Sequence, residues 1–234
     1  FGGRTQGSET QVSVQKLPVE GYTETASIMA YGYNPFLTSW SPYHGAAYAV
    51  VEACAKVVAA GAEFGGMRFS YQEYFERMHT ARSWGKPLAA LLGALRMQVE
   101  LGLPSVGGKD SMSGTFQQIN VPPMLMAFGI TTVDARRVIS TDLKEAGHTL
   151  YLLKHTPKAN RMPDTAALRT LWNYASERIA AGRIVAGYAV GFGGVAEALA
   201  KMAFGNGIGA EVELPEEALF AYDYGSIVVE STVE

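Results

Sequence analysis

Apolar positions along the chain recur with two different periods, and the switches between them mark successive elements. Over residues 44–60, Ala46, Ala49, Val50, Ala53, Val57 and Ala60 repeat at steps of three and four, which predicts a helix with Gly61 as its C-terminal cap. A second helix is predicted to open at Trp84-Gly85-Lys86-Pro87, where proline is tolerated in the first turn. Leu88, Leu91, Leu92, Leu95 and Val99 form one face of it, and Gly102 ends it. Short apolar runs at 11–14, 26–31, 67–71, 104–107 and 124–131 predict strands. Asn34-Pro35 and Ser41-Pro42 close the opening region, because the residue before a proline is kept out of the helical well.

The pattern restarts in the second half. A strand is predicted at 148–154, then a helix capped by Asp164 whose face is Leu168, Leu171, Trp172, Ala175 and Ile179. Next come a strand at 184–188, the pair Gly193-Gly194, a helix carrying Val195, Leu199 and Met202, and two more strands at 208–214 and 226–230. Strands alternating with long helices give an α/β or α+β class. Charged runs between Val133 and Gly147 interrupt the apolar pattern, which places a seam there and divides the chain into halves at 1–135 and 136–234.

Composition narrows the function classes. The 234 residues suffice for a real core, and 48% apolar against 18% charged residues is a globular balance. A net charge of −3 without a basic cluster argues against nucleic acid as the main partner. No apolar stretch reaches the ~20 residues that span a bilayer, so no membrane association is expected. The single cysteine, Cys54, excludes an intrachain disulfide and fits a reducing, cytoplasmic compartment. It lies in an apolar helical run, where a thiol serves as a small buried hydrophobe. The opening FGGRTQ has neither a methionine nor a signal-peptide pattern, as expected of a piece of a longer protein.

The sharpest chemical feature is Gly107-Gly108-Lys109-Asp110-Ser111-Met112-Ser113-Gly114. Paired glycines let backbone amides approach a phosphate, lysine adds a compact charge, aspartate can hold Mg²⁺, and two hydroxyls can donate to phosphate oxygens. An ordinary polar turn after a strand explains the same residues, and the run is not a Walker A motif. Glu52 and Lys56, four apart, make either a surface-type ion pair or a pair facing a nucleotide. Gly191-Phe192-Gly193-Gly194 before a helix either binds an anion at the helix N-terminus or is a tight packing turn. His44, His79, His148 and His155 lack metal-ligand spacing and are expected to be surface or hydrogen-bonding residues.

Several runs together resemble the phosphoribosylformylglycinamidine synthases, also called formylglycinamide ribonucleotide amidotransferases. They are Met29-Ala30-Tyr31-Gly32-Tyr33-Asn34-Pro35, Ser41-Pro42-Tyr43-His44-Gly45-Ala46, Val57-Val58-Ala59-Ala60-Gly61-Ala62, Gln72-Glu73-Tyr74-Phe75, the 107–114 run, and Met202-Ala203-Phe204-Gly205-Asn206. The resemblance covers nearly the whole chain. It implies a unit like aminoimidazole ribonucleotide synthetase, in which an N-terminal half contributes to a β-barrel and a C-terminal half is α/β. The family carries two such copies followed by a glutaminase domain, and its reaction uses ATP, Mg²⁺ and glutamine-derived ammonia. This chain resembles the second copy, whose lysine-bearing loop completes a site formed mainly by the first.

Carried over by resemblance, Gly108 would meet the nucleotide through its backbone, Lys109 and Asp110 would sit at phosphate or magnesium, and Ser111 would contact the substrate. Gln72 would lie near that site, and Gly107 and Ser113 are counted with the same nucleotide- and substrate-binding group. The expected partners are the remaining domains of the same enzyme, and a free copy is expected to form a homodimer through its barrel strands. No catalytic residue is expected in this chain alone, which would be inactive. The alternatives are a non-catalytic scaffold module, or a stand-alone relative of the aminoimidazole ribonucleotide or selenophosphate synthetase kind.

Departures from the family pattern cluster at one place. Many members hold an auxiliary nucleotide and metal ions in this copy. Glu52 is kept, but Lys56 stands where they have asparagine. Ala189, Gly191 and Phe192 replace an aspartate, a serine and a second aspartate, and Gly21 is the nearest counterpart of another. Losing carboxylates while gaining a lysine removes the oxygen ligands Mg²⁺ requires, so this auxiliary site is expected to be degenerate, without tightly bound cofactor or metal. The 154–164 connection is also short for the family.

Overall fold

A computed structural model describes residues 7–233, and the FGGRTQ opening lies outside the described residues. The first half builds a five-stranded sheet from β1 (Ser13–Lys16), β2 (Thr25–Gly32), β3 (Arg68–Tyr74), β4 (Ser105–Lys109) and β7 (Met124–Asp134), in the order β1-β2-β7-β3-β4. Neighbours are antiparallel except β3 and β4, which run parallel and are joined through the long helix α3 (Ala81–Leu101). A small hairpin of β5 (Thr115–Phe116) and β6 (Ile119–Asn120) precedes β7.

Alternation along the strands sends Ile28, Ala30, Phe69, Leu125 and Ala127 into the core beneath α2 (Pro42–Ala59). The opposite sheet face leaves Met29, Tyr31 and Ile130 exposed. α2 is buried on nearly all sides, as a helix that is apolar all round must be. One flank meets the sheet and α3. The other meets the second half, through Trp172, Ile179, Ile184 and Tyr224.

The second half consists of β8 (Thr149–Leu153), α4 (Thr165–Ala180), β9 (Ile184–Ala189), α5 (Gly194–Phe204), the short α6 (Glu216–Leu219) and β10 (Ile227–Ser231). β10 is the central strand, antiparallel to both β8 and β9. Asp164 caps α4 by accepting the Ala166 and Ala167 amides, as its position predicts. Asn34, expected only to close the opening region, also caps a short helix, α1 (Pro35–Trp40), that the apolar pattern does not signal.

Four expectations are corrected. α3 opens at Ala81 behind a Thr80 cap, not at Trp84, so Pro87 lies inside the helix and not in its first turn. The large apolar face of α3 does not face the core: Leu88, Leu91, Leu92, Leu95 and Val99 are all exposed, as is Trp84. The buried face is instead Ser83, Pro87, Ala90, Gly93, Ala94, Met97 and Leu101, because α3 approaches α2 closely at its middle, where Ala90, Gly93 and Ala94 stand. A Cβ on Gly93 would sit 2.0 Å from the Tyr43 carbonyl oxygen. Residues 208–214 form no strand; glycines 207 and 209 interrupt the backbone, and the segment crosses a cleft beside α5 without ladder pairing. Gly107, Gly108 and Lys109 belong to β4 itself, so the loop starts only at Asp110.

Candidate functional site

The 107–114 run occupies the edge of the five-stranded sheet. Parallel pairing sets Tyr71 beside Gly108 and Gln72 beside Lys109. Gly108 is required there, since a Cβ would come within 2.7 Å of the Tyr71 carbonyl oxygen. The outer edge of β4 carries no further strand among the described residues, and every residue from Ser105 to Asp110 is exposed. The loop is nevertheless anchored. Ser111 donates its amide to the Glu73 carbonyl at 3.1 Å, and its own carbonyl accepts the Phe75 amide at 2.9 Å. Gly114 is buried and donates to the Phe75 carbonyl at 2.9 Å, while the Ser111 and Ser113 hydroxyls lie 2.9 Å apart. Lys109 and Asp110 are thus carried on a step between a strand and a fixed turn.

Beneath that step lies Glu73, which no motif-spacing argument identifies. It is 8% exposed and its Oε1 has no hydrogen-bond partner. Burial, with the nearby Asp110 charge as the lesser cause, pushes its carboxyl up to about 7. Gln72 turns its amide to the Glu73 carbonyl at 2.9 Å.

The second group of predicted residues meets at the junction of the halves. Glu52, Lys56, Gly191 and Phe192 line one cavity of about 200 Å³, together with Gln11, Glu197 and Lys201. Lys56 Nζ is 2.7 Å from Glu52 Oε1, donates to the Tyr31 carbonyl at 2.9 Å, and sits 4.6 Å from the centre of the Tyr31 ring. Glu52 Oε2 accepts the Tyr33 amide at 3.0 Å. Burial raises the Glu52 carboxyl, and the Lys56 charge and hydrogen bond oppose that rise.

Across the cavity, Glu197 and Lys201 repeat the arrangement at 2.8 Å on α5, and Lys201 also pairs with Glu9 at 2.9 Å. Their four-residue spacing is the same signal that picks out Glu52 and Lys56, and it would have found them. Glu197 also accepts the Gly193 amide at 2.8 Å, so the chain's own carboxylate fills the helix N-terminus that Gly191-Phe192-Gly193-Gly194 offers to an anion. Burial pushes the Glu197 carboxyl up, but these partners outweigh it and leave it lowered.

Phe192 stacks between Phe36 and Tyr222, with centroids 5.2 and 5.3 Å away. Ala189 sits behind the wall, its amide and carbonyl both held by the Gln11 side chain at 2.8 and 2.9 Å. Gly21 is not among the residues lining this cavity.

Of the remaining polar candidates, His44, His148 and His155 have side-chain partners. His155 is buried, donating through Nδ1 to the Tyr224 carbonyl at 2.9 Å and accepting the Asp164 amide at Nε2 at 3.1 Å. His148 Nδ1 lies 2.7 Å from Glu230. Cys54 is fully buried, which pushes its thiol up and away from nucleophilic use. Among the described residues no three His, Cys, Asp or Glu side chains come together as a metal site, and no helix is long and apolar enough to cross a membrane.

Comparison with known proteins adds three findings. Residues 138–228 match the family described as AIR synthase related protein, C-terminal domain. In sequence, the chain is 30% identical over 217 residues to the phosphoribosylformylglycinamidine synthase subunit PurL of Thermus thermophilus, covering 80% of this chain and 28% of that one. The corresponding subunit of Thermoplasma acidophilum is 24% identical over 209 residues, covering 80% of this chain and 26% of its own. The chain therefore spans little more than a quarter of the length of these relatives.

In structure, it superimposes on Thermotoga maritima PurL complexed with FGAR with a TM-score of 0.72 at 16% identity, over 97% of this chain and 41% of that one. Thiamine monophosphate kinase of Aquifex aeolicus gives a TM-score of 0.61 at 14% identity, over 90% of this chain and 81% of that one. At such identities the structural likeness shows the fold, and the fold is the α/β one of the aminoimidazole ribonucleotide synthetase type.

Proposed function

We propose that this chain, PurL-like over four-fifths of its length, is one synthetase-type unit of a phosphoribosylformylglycinamidine synthase, an ATP-dependent ligase of purine biosynthesis. In that reaction the formyl amide oxygen of formylglycinamide ribonucleotide takes the γ-phosphoryl group of ATP. Ammonia released from glutamine then attacks the same carbon, and phosphate leaves as the amidine forms. The unit's contribution is one wall of the site. Its partners are the rest of the enzyme, including a companion unit and a glutaminase, in the cytoplasm.

The observation that carries this reading is the Lys109-Asp110 step on the open sheet edge. Gly107 and Gly108 bring backbone amides to the edge, Lys109 a compact positive charge for phosphate, and Ser111 and Ser113 hydroxyl donors. Asp110 offers an oxygen ligand to magnesium, whose other ligands would be phosphate oxygens and water. Magnesium there would neutralise phosphate charge as the phosphoryl group moves. These groups face no opposing wall among the described residues, so the unit alone is inactive. The open sheet face with Met29, Tyr31 and Ile130 is the surface the companion unit covers.

The cavity between the halves supports no metal chemistry. Glu9, Glu52 and Glu197 are the carboxylates that line it, and lysines stand 2.9, 2.7 and 2.8 Å from them. Two ammonium groups occupy the place of divalent charge, and the pocket is a closed relic.

Ser111→Ala in the complete enzyme tests the assignment. Turnover is expected to fall by roughly tenfold or more with the fold intact, as when a donor to a reacting group is lost. Near-normal turnover, with stability changed by no more than about 0.5 kcal/mol, would instead favour a purely scaffolding unit.

A further inference from the structure

The exposed stripe of α3 is an unusual surface. Trp84, Leu88, Leu91, Leu92, Leu95 and Val99 are between 47% and 73% exposed, and none faces the core. At 3.6 residues per turn all six fall within an arc of roughly 100° and run for roughly 22 Å along the helix. An apolar stripe of that width has the spacing of a helix–helix packing seam.

The spacing of the stripe says what the partner is. The six positions are symmetric about the midpoint between Leu91 and Leu92: Trp84 mirrors Val99, Leu88 mirrors Leu95, and Leu91 mirrors Leu92. A stripe that maps onto itself when reversed is what a two-fold interface demands, because the same patch must serve both subunits.

Area agrees. The six side chains expose roughly 600 Å² of mostly apolar surface, at the upper limit for a monomer's largest patch. Two copies would bury roughly 1,200 Å², the lower end of stable, specific interfaces.

We propose that α3 pairs antiparallel with α3 of a second copy of this chain, about a two-fold axis passing between Leu91 and Leu92. This surface is separate from the open sheet face assigned to the companion unit, so the homodimer leaves the 107–114 edge and that face free.

The test uses the 234-residue chain in sedimentation velocity from about 1 to 100 μM, the range expected for a small interface. The wild type is expected to dimerise. Leu92→Glu, an exposed position that places like charges together at the axis, should leave a folded monomer, while Ile130→Glu on the open sheet face should leave the dimer. Register is read by mixing a Leu88→Cys chain with a Leu95→Cys chain and adding a short bifunctional thiol reagent. Cys54 is buried and does not compete. Cross-linked dimer should form in the mixture and not with either chain alone. A monomer at 100 μM, or a dimer lost with Ile130→Glu but kept with Leu92→Glu, would overturn the proposal.

Discussion

Replacing Glu73 with glutamine should stabilise the fold at alkaline pH and change little in acid. The carboxyl lies in β3 under the Lys109-Asp110 step, 8% exposed, with Oε1 unpartnered. Burial is the main cause, and the Asp110 charge the lesser one, of a rise from 4.5 to about 7. A raised carboxyl holds its proton more tightly in the folded chain than in the unfolded one. Its contribution to stability is therefore fully present below pH 4.5, and it is lost as pH rises through 7. At 1.36 kcal/mol per pH unit, that interval corresponds to about 3 kcal/mol.

Glutamine reproduces the neutral acid and removes the titration. The difference in unfolding free energy between Glu73→Gln and wild type should be near zero at pH 4.5 to 5. It should climb between pH 5 and 7 and level off near about 1–3 kcal/mol by pH 8, with the mutant the more stable. Urea unfolding of both chains across that range measures it, and background titrations such as that of His155 cancel in the difference. Asp110→Asn removes the like charge, so the climb should move to higher pH values in no case and to lower ones by a fraction of a unit. A difference flat with pH, or a Glu73→Gln chain less stable at pH 8, would refute the reasoning.

The ion pairs between the halves make two further predictions. Lys56→Ala leaves Glu52 buried without its cation and should cost about 3 kcal/mol in urea unfolding, most of it recovered in the Glu52→Gln/Lys56→Met double variant. Calorimetric titration of ADP into the isolated chain should give no binding at micromolar concentrations with or without Mg²⁺. Metal-dependent micromolar binding would show that the lysines do not close the pocket.

Most of the fold is legible in the spacing of apolar residues, because the strands and helices bury the side chains their periods select. Trp172, Leu168, Ala175 and Ile179 go to the core as expected. α3 fails that reasoning for a physical reason. Hydrophobic size identifies a buried face only where the gap is wide, and at the α2–α3 contact Gly93 and Ala90 set the gap. The leucines were left for the outside. The 208–214 run fails differently: alternating apolar residues favour a strand, but a strand also needs an edge to pair with and a backbone without glycine interruptions.

The candidate sites divide along a similar line. Spacing within one helix reveals Glu52 with Lys56, and equally Glu197 with Lys201, but nothing in the order of residues says that the two pairs face each other across 145 positions of chain. Each of the two carboxylates has a lysine of its own helix beside it, at 2.7 and 2.8 Å. The 107–114 edge is the opposite case. Lys109 and Asp110 stand exposed, the β4 edge is open, and Glu73 lies unpartnered behind them. That contrast is what favours the 107–114 edge over the cavity as the place of the proposed chemistry. The symmetric leucine stripe of α3 follows the same logic in apolar form, since a surface this chain does not satisfy by itself is one that a second chain completes.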